Sequence, residues 1–136
     1  MRKFHLTNDK NLFDPTPYGF SHTAIVPENS TLFFISGQSG AEDKNHKLSS
    51  DFRTQVKFAL QNITTILNSN GLKPENVAKF TILIVDHSLE KLQIYNEELK
   101  KIWKVVPYPA STLIPVPCLA IDGMKVEIDA IAVSQF

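Results

Sequence analysis

One cysteine, five glycines, no net charge and no long apolar run are what this 136-residue chain has little of or lacks. Cys118 is alone and cannot close a disulfide within the chain, which agrees with a reducing compartment. Fourteen Lys and Arg residues are balanced by fourteen Asp and Glu, and the isoelectric point is about 6.9. Without a basic run, the attraction that supplies most non-specific nucleic-acid affinity is missing, so no nucleic-acid partner is expected. No stretch approaches the ~18 apolar residues of a membrane span, so no membrane partner is expected either. The basic start Met1-Arg2-Lys3 is not followed by the apolar core of a secretory signal. His5, His46, His87 and Cys118 show no close ligand spacing, so no metal is expected. There is no repeat, linker or low-complexity segment. The expectation is a soluble, cytoplasmic protein.

What is present is ordinary globular composition, 43% hydrophobic and 21% charged. The length argues for one domain over residues 1–136, burying roughly two-thirds of the surface its unfolded chain exposes. Residues 1–22 read as irregular, with 1–15 as an N-terminal segment and Pro15 and Pro17 enforcing an extended path. Thr23 to Val26 and Leu32 to Ser36 are β-branched and aromatic runs separated by Pro27-Glu28-Asn29-Ser30, which predicts a hairpin. Ala41 to Ser50 reads as a solvated charged loop.

Ser50 or Asp51 can cap a helix whose apolar residues, Phe52 to Leu67, recur at three- and four-residue intervals up to Asn70-Gly71. Val77 to Val85 predicts a strand. A second helix carries Leu89, Leu92, Tyr95, Leu99, Ile102 and Trp103 on one stripe, and Pro107-Tyr108-Pro109 stops it. Ala110 to Val116 and Lys125 to Val133 predict the last two strands. The order β-β-α-β-α-β-β implies an α+β domain with two helices packed on one face of a mixed, mostly antiparallel sheet. Leu83, Val85, Ile131 and Val133 fall on the opposite face, and a monomer seldom exposes such a patch, so an oligomer is expected.

Pro17-Tyr18, Phe34-Ile35-Ser36-Gly37-Gln38, Gln55 followed by Leu60-Gln61-Asn62-Ile63, Pro109-Ala110, and Val126-Glu127-Ile128-Asp129-Ala130-Ile131-Ala132 stand in a characteristic order and near-spacing. In these segments the chain resembles the Rid proteins, or reactive intermediate deaminases, also called the YjgF or endoribonuclease L-PSP family. The resemblance spans about residues 15–133. It implies a chorismate-mutase-like fold, a homotrimer, and small-metabolite clefts between subunits that hydrolyse enamines or imines to a carbonyl product and ammonia without a cofactor.

Carried across residue by residue, the resemblance implies Glu127 as the group that positions or activates water and Tyr18 as its catalytic companion. Gly37 matches the strand-end glycine, and Asn96 the asparagine of the second helix once the following loop is shortened by two. The family's carboxylate-binding arginine is absent. Ser111 stands in its place within Pro109-Ala110-Ser111-Thr112, and Leu113 stands where some members have a cysteine. Ser111 offers one hydroxyl where a guanidinium would give bidentate, charge-assisted bonds. His22, in a Gly19-Phe20-Ser21-His22 segment that departs from the family pattern, is a candidate substitute donor.

Each candidate also has a structural reading. Glu127 could sit on an exposed strand face, Tyr18 could be a packing anchor, His22 could face solvent, and Asn96 could lie on the helix's solvated side. Two functions follow from the resemblance: an imine deaminase, or a non-catalytic ligand-binding or interaction trimer that lost activity with the arginine. Ribonuclease activity is disfavoured by the neutral charge.

Overall fold

The computed structural model describes residues 4–104 and 106–135. Met1–Lys3, the basic start considered above, lie outside the described residues, as do Val105 and Phe136. Six strands and two helices follow one another as β1 (His5–Thr7), β2 (Thr23–Ile25), β3 (Thr31–Ser39), α1 (Phe52–Ser69), β4 (Val77–Val85), α2 (Leu89–Ile102), β5 (Ala110–Val116) and β6 (Val126–Ser134). The main sheet has the order β3-β6-β4-β5. β6 is antiparallel to both neighbours, whereas β4 and β5 are parallel and joined by α2 as the crossover helix. The α+β class and the two-helix layer read from the sequence are the architecture observed.

Capping and periodicity make the helices where they were expected. The Asp51 carboxylate accepts from the Thr54 amide at 3.0 Å, and the Ser88 hydroxyl accepts from the Lys91 amide at 3.1 Å. On α1, Val56, Ala59, Leu60, Ile63 and Leu67 are fully buried. They pack on the alternate residues Phe80, Ile82 and Ile84 of β4 and Val126, Ile128 and Ala130 of β6. Trp103 closes the far end, edge-on to Phe80 at 5.1 Å, with its indole N–H donating to the Pro74 carbonyl at 2.9 Å.

Three expectations change. Thr23–Ile25 does not form a hairpin with β3: it pairs antiparallel with His5–Thr7, a segment read as irregular, while β3 stays at the edge of the main sheet beside β6. Val133 is not on an open face, since this small ribbon covers it and packs Leu6 and Ala24 against Phe4, Ala78 and Val133. Leu89, placed on the apolar stripe of α2, is 83% exposed because that end of the helix runs past the core. The rest of the outer sheet face stays open, with Phe34 74% exposed and Leu32 and Ile114 also exposed beside the half-buried Leu83, Val85 and Ile131.

Gln55 is the polar centre of the packing. Fully buried, it donates through Nε2 to the Ser49 carbonyl at 2.7 Å and the Gly123 carbonyl at 2.8 Å, and its Oε1 accepts from the Lys125 amide at 2.9 Å. The loop before α1 and the turn before β6 are thereby pinned to one side chain. Gly40 lies on the same helix turn, where an added Cβ would stand 2.5 Å from the Gln55 Cα and carbonyl oxygen. Nearby, Glu98 is buried between Arg53 and Lys101 at 2.8 and 2.7 Å, tying α2 to α1. Burial pushes its carboxyl up, but the hydrogen bonds from Lys101 and Arg53 outweigh this and hold it below its ordinary value.

Gln55→Leu is expected to lower unfolding free energy by about 3 kcal/mol or more, because two carbonyls and an amide each lose their partner at ~1–3 kcal/mol apiece. Gly40→Ala should cost about 2 kcal/mol or more through overpacking against helix backbone that cannot rotate away. Urea unfolding checks both, and a loss under ~1 kcal/mol for either removes the proposed anchor. The depressed Glu98 carboxyl contributes stability above the ordinary glutamate value of 4.5 that is lost as pH falls below it. Glu98→Gln should therefore flatten that acid limb of the stability profile.

Candidate functional site

The candidate residues fall into two groups on opposite faces of the main sheet. Ser111 pairs in register with Phe80, and Leu113 with Ile82, so both share the helix-side face. Glu127 pairs with Leu83 and belongs to the outer face. In one chain, Ser111 and Glu127 cannot meet on one small ligand.

The helix-side group is built by the segment before β2. The Asp14 carboxylate accepts from the Thr16 amide at 3.0 Å and starts a 3₁₀ turn, Thr16–Tyr18. That bond, chiefly the one from the backbone N–H, holds the Asp14 carboxyl below the usual carboxylate value. Ser21 then bonds to Pro109 through its amide at 3.0 Å and bridges to Ala110, so the segment runs beside the start of β5. The result is a pocket of about 680 Å³ lined by Phe13, Asp14, Pro17, Tyr18, Phe20, Leu92, Ser111 and Leu113.

An adjoining cleft of about 360 Å³ shares Pro17, Tyr18 and Leu92 and adds Asn96, Glu97 and Lys100. The structure therefore places Tyr18 between two neighbouring cavities, one lined by Ser111 and the other by Asn96. Tyr18 is 51% exposed. Asn96, read as a solvated helix residue, is buried behind the turn, and its Oδ1 has no hydrogen-bond partner. That oxygen lies against Gly19, where an added Cβ would stand 3.0 Å from it, and is shielded from solvent.

His22 is next to the Ser111 cavity but not among its lining residues. Its Nδ1 accepts from the Asp9 amide at 3.1 Å, its own amide donates to the Asn8 side chain at 2.9 Å, and Nε2 is buried without a partner. The ring stands edge-on to Phe13 at 5.6 Å and to Phe20 at 6.2 Å. It fastens the segment around residues 8–14. Phe13, Asp14 and Phe20 were not among the candidates. Their signal was the aromatic spacing Phe13, Tyr18, Phe20, His22, which becomes a site only once the segment wraps onto β5.

The outer-face group depends on a bulge. Between Ile35 and Gln38, β3 carries one residue more than β6, which turns Gly37 toward Glu127. A Cβ on Gly37 would lie 2.6 Å from the Glu127 Cδ and 2.7 Å from Oε2, so the carboxylate occupies the space that glycine leaves. Ser39, opposite Glu127 in register, bonds through Oγ to His46 Nε2 at 2.7 Å. The loop around His46, read as simply solvated, is thus tied to this strand end. Among the described residues, no group of three His, Cys, Asp or Glu side chains comes together that could hold a metal ion. No helix among them is long and apolar enough to cross a membrane.

Residues 15–134 match the endoribonuclease L-PSP family. A RutC family protein of Aquifex aeolicus is 36% identical over 120 residues, covering 88% of this chain and 92% of the relative. The human 2-iminobutanoate/2-iminopropanoate deaminase is 33% identical over 101 residues, covering 74% and 71%. In three dimensions the chain is similar to a crystal structure from Yersinia pestis, a protein of unknown function of the conserved Rid protein family. Its TM-score is 0.88 at 25% identity over 95% of this chain and 97% of that one.

Gly37→Ala is expected to leave the melting temperature within a few degrees, because the atoms it meets belong to a half-buried side chain that can rotate, while driving Glu127 out of its present rotamer. A crystal structure of the variant checks this, and an unmoved Glu127 carboxylate would contradict the packing argument.

Proposed function

The chain belongs to the endoribonuclease L-PSP family, the YjgF or Rid proteins, and on that premise we propose that it binds a small metabolite and hydrolyses an enamine or imine in clefts completed by neighbouring copies in a homotrimer. The observation that carries the reading is the division of the candidate residues between two sheet faces. The Tyr18, Asn96 and Ser111 group of one copy is completed by the Gly37 and Glu127 group of the next. The open outer face, where Phe34, Leu83 and Ile131 present apolar surface, supports association of copies. The deaminase name of the human relative supports the chemistry.

In this mechanism the oxygen of water adds to the imine carbon while the C=N π pair moves to nitrogen. Glu127 takes one water proton and passes it to nitrogen, giving the carbinolamine, and then relays the hydroxyl proton to the same nitrogen as the C–N bond breaks, so that ammonia leaves and the carbonyl forms. Tyr18 orients the nitrogen end through its phenol, Asn96 supports the turn that carries Tyr18, and Ser111 anchors the other end with a single hydroxyl. No metal or organic cofactor takes part, and a cytoplasmic setting belongs to the same proposal. A non-catalytic ligand-binding trimer is the second reading, favoured by the serine at position 111. Ribonuclease activity is disfavoured, because among the described residues no Lys or Arg lines the pocket.

Light scattering should return about three times the 15.3 kDa chain mass, and Leu83→Lys should shift it toward the monomer; a wild-type mass of one chain overturns the shared cleft. For 2-imino acids generated in situ by an amino-acid oxidase, Ser111→Arg should raise kcat/KM about tenfold to several-hundredfold by restoring charge-assisted bonds to the carboxylate. Adding Glu127→Gln should abolish that gain. Inactivity of both wild type and Ser111→Arg would favour the binding reading.

A further inference from the structure

The walls above Ser111 determine what the pocket can hold, given the small-molecule reading on which this inference rests. Phe13, Pro17, Phe20, Leu92 and Leu113 supply carbon surface, and Ser111, Tyr18 and Asp14 are the polar residues of the lining. Among the described residues, no Lys, Arg or His lines it. Phe13 is 61% exposed yet held, with Tyr18 edge-on at 6.0 Å, Phe20 at 6.1 Å and His22 at 5.6 Å. Bonds from the Asp9 amide to His22 and from the His22 amide to Asn8 fasten the chain just before it. The aromatic wall is therefore present before any ligand arrives.

Ring faces attract cations, and an ionised carboxylate beside them adds to that attraction. The same two features repel a carboxylate ligand. Lys100 is the cation of the adjoining cleft, where its Nζ lies 3.4 Å from the Pro17 carbonyl and Glu97 shares the lining.

We propose that this pocket takes an apolar cation without a carboxylate, a protonated arylalkyl amine or imine of the kind made by oxidising a primary monoamine rather than an amino acid. Hydrolysis of such an iminium consumes one water and yields an aldehyde and ammonium, so atoms and charge balance with no further reactant. The reaction supplying it belongs to the class of amine oxidations.

Calorimetric titration of the wild-type protein with 2-phenylethylammonium, 3-phenylpropanoate and 2-phenylethanol tests the ligand class, since the three share a ring and tether but differ in charge. The ammonium should bind at least tenfold more tightly than the propanoate, with the alcohol between. Asp14→Asn, which retains an acceptor for Thr16, should narrow that ratio several-fold. Raising salt from ~20 to ~500 mM should narrow it in the wild type as well, which keeps the test independent of how the variant folds. Equal or tighter binding of the propanoate, a ratio unmoved by both Asp14→Asn and salt, or no binding of any of the three overturns the proposal. Aldehyde release from the imine of 2-phenylethylamine, made in situ by an amine oxidase, is measured separately. Selective binding without turnover supports the ligand class and refutes the hydrolytic reading, whereas preferential turnover of a 2-imino acid overturns the ligand class.

Discussion

Gln55 holds three backbone groups from two separate segments with one uncharged side chain, and the site on the outer face depends on that hold. Its bond to the Lys125 amide fixes where β6 begins, two residues before Glu127, and its bonds to Ser49 and Gly123 fix the loops on either side. Gly40 gives β3 its exit against the same turn of α1, so the strand end carrying Gly37 and Ser39 is set by the same contact. Asn62 reinforces it by donating to the carbonyls of Ser39 and Ala41 at 3.1 and 3.0 Å. A buried amide with its donor and acceptor both used gives direction to this junction, which apolar packing alone does not.

The sheet then separates two kinds of chemistry. Its helix side ends in an aromatic hollow around Ser111, and its outer side carries Glu127 in the space left by Gly37. An alternating strand cannot send neighbouring positions to one face. Within one chain the two groups are therefore held apart, and the exposed Phe34 and Ile114 make the outer face a surface that apolar burial can close. The serine at position 111 has its counterpart in the wall above it, where carbon surface and one carboxylate stand instead of a cation.

Much of the frame was legible. The three- and four-residue spacing on α1 and the alternation of Phe80, Ile82 and Ile84 locate the core directly, because burial selects apolar side chains at the period of each element. Glu127 and Gly37 were picked out separately, although their contact depends on a bulge that neither segment announces. Asn96 looked solvated on its own helix, and its burial comes from the 3₁₀ turn at Thr16–Tyr18, some eighty residues away along the chain. His5–Thr7 is too short and too polar to read as a strand, and exists because Thr23–Ile25 offers it a partner.

By itself the sequence determined the element order, the helix caps, the apolar layer between helices and sheet, and the absence of an arginine at position 111. These are local quantities, set by periodicity, capping residues and side-chain identity. Only the tertiary structure decided that Phe13, Asp14 and Phe20 stand over Ser111, that Val133 is covered by the β1–β2 ribbon, and that Ser111 and Glu127 face away from one another. Each of those depends on which distant segments share backbone hydrogen bonds. That choice is made by the burial and hydrogen bonding of the whole chain, and no window of neighbouring residues contains it.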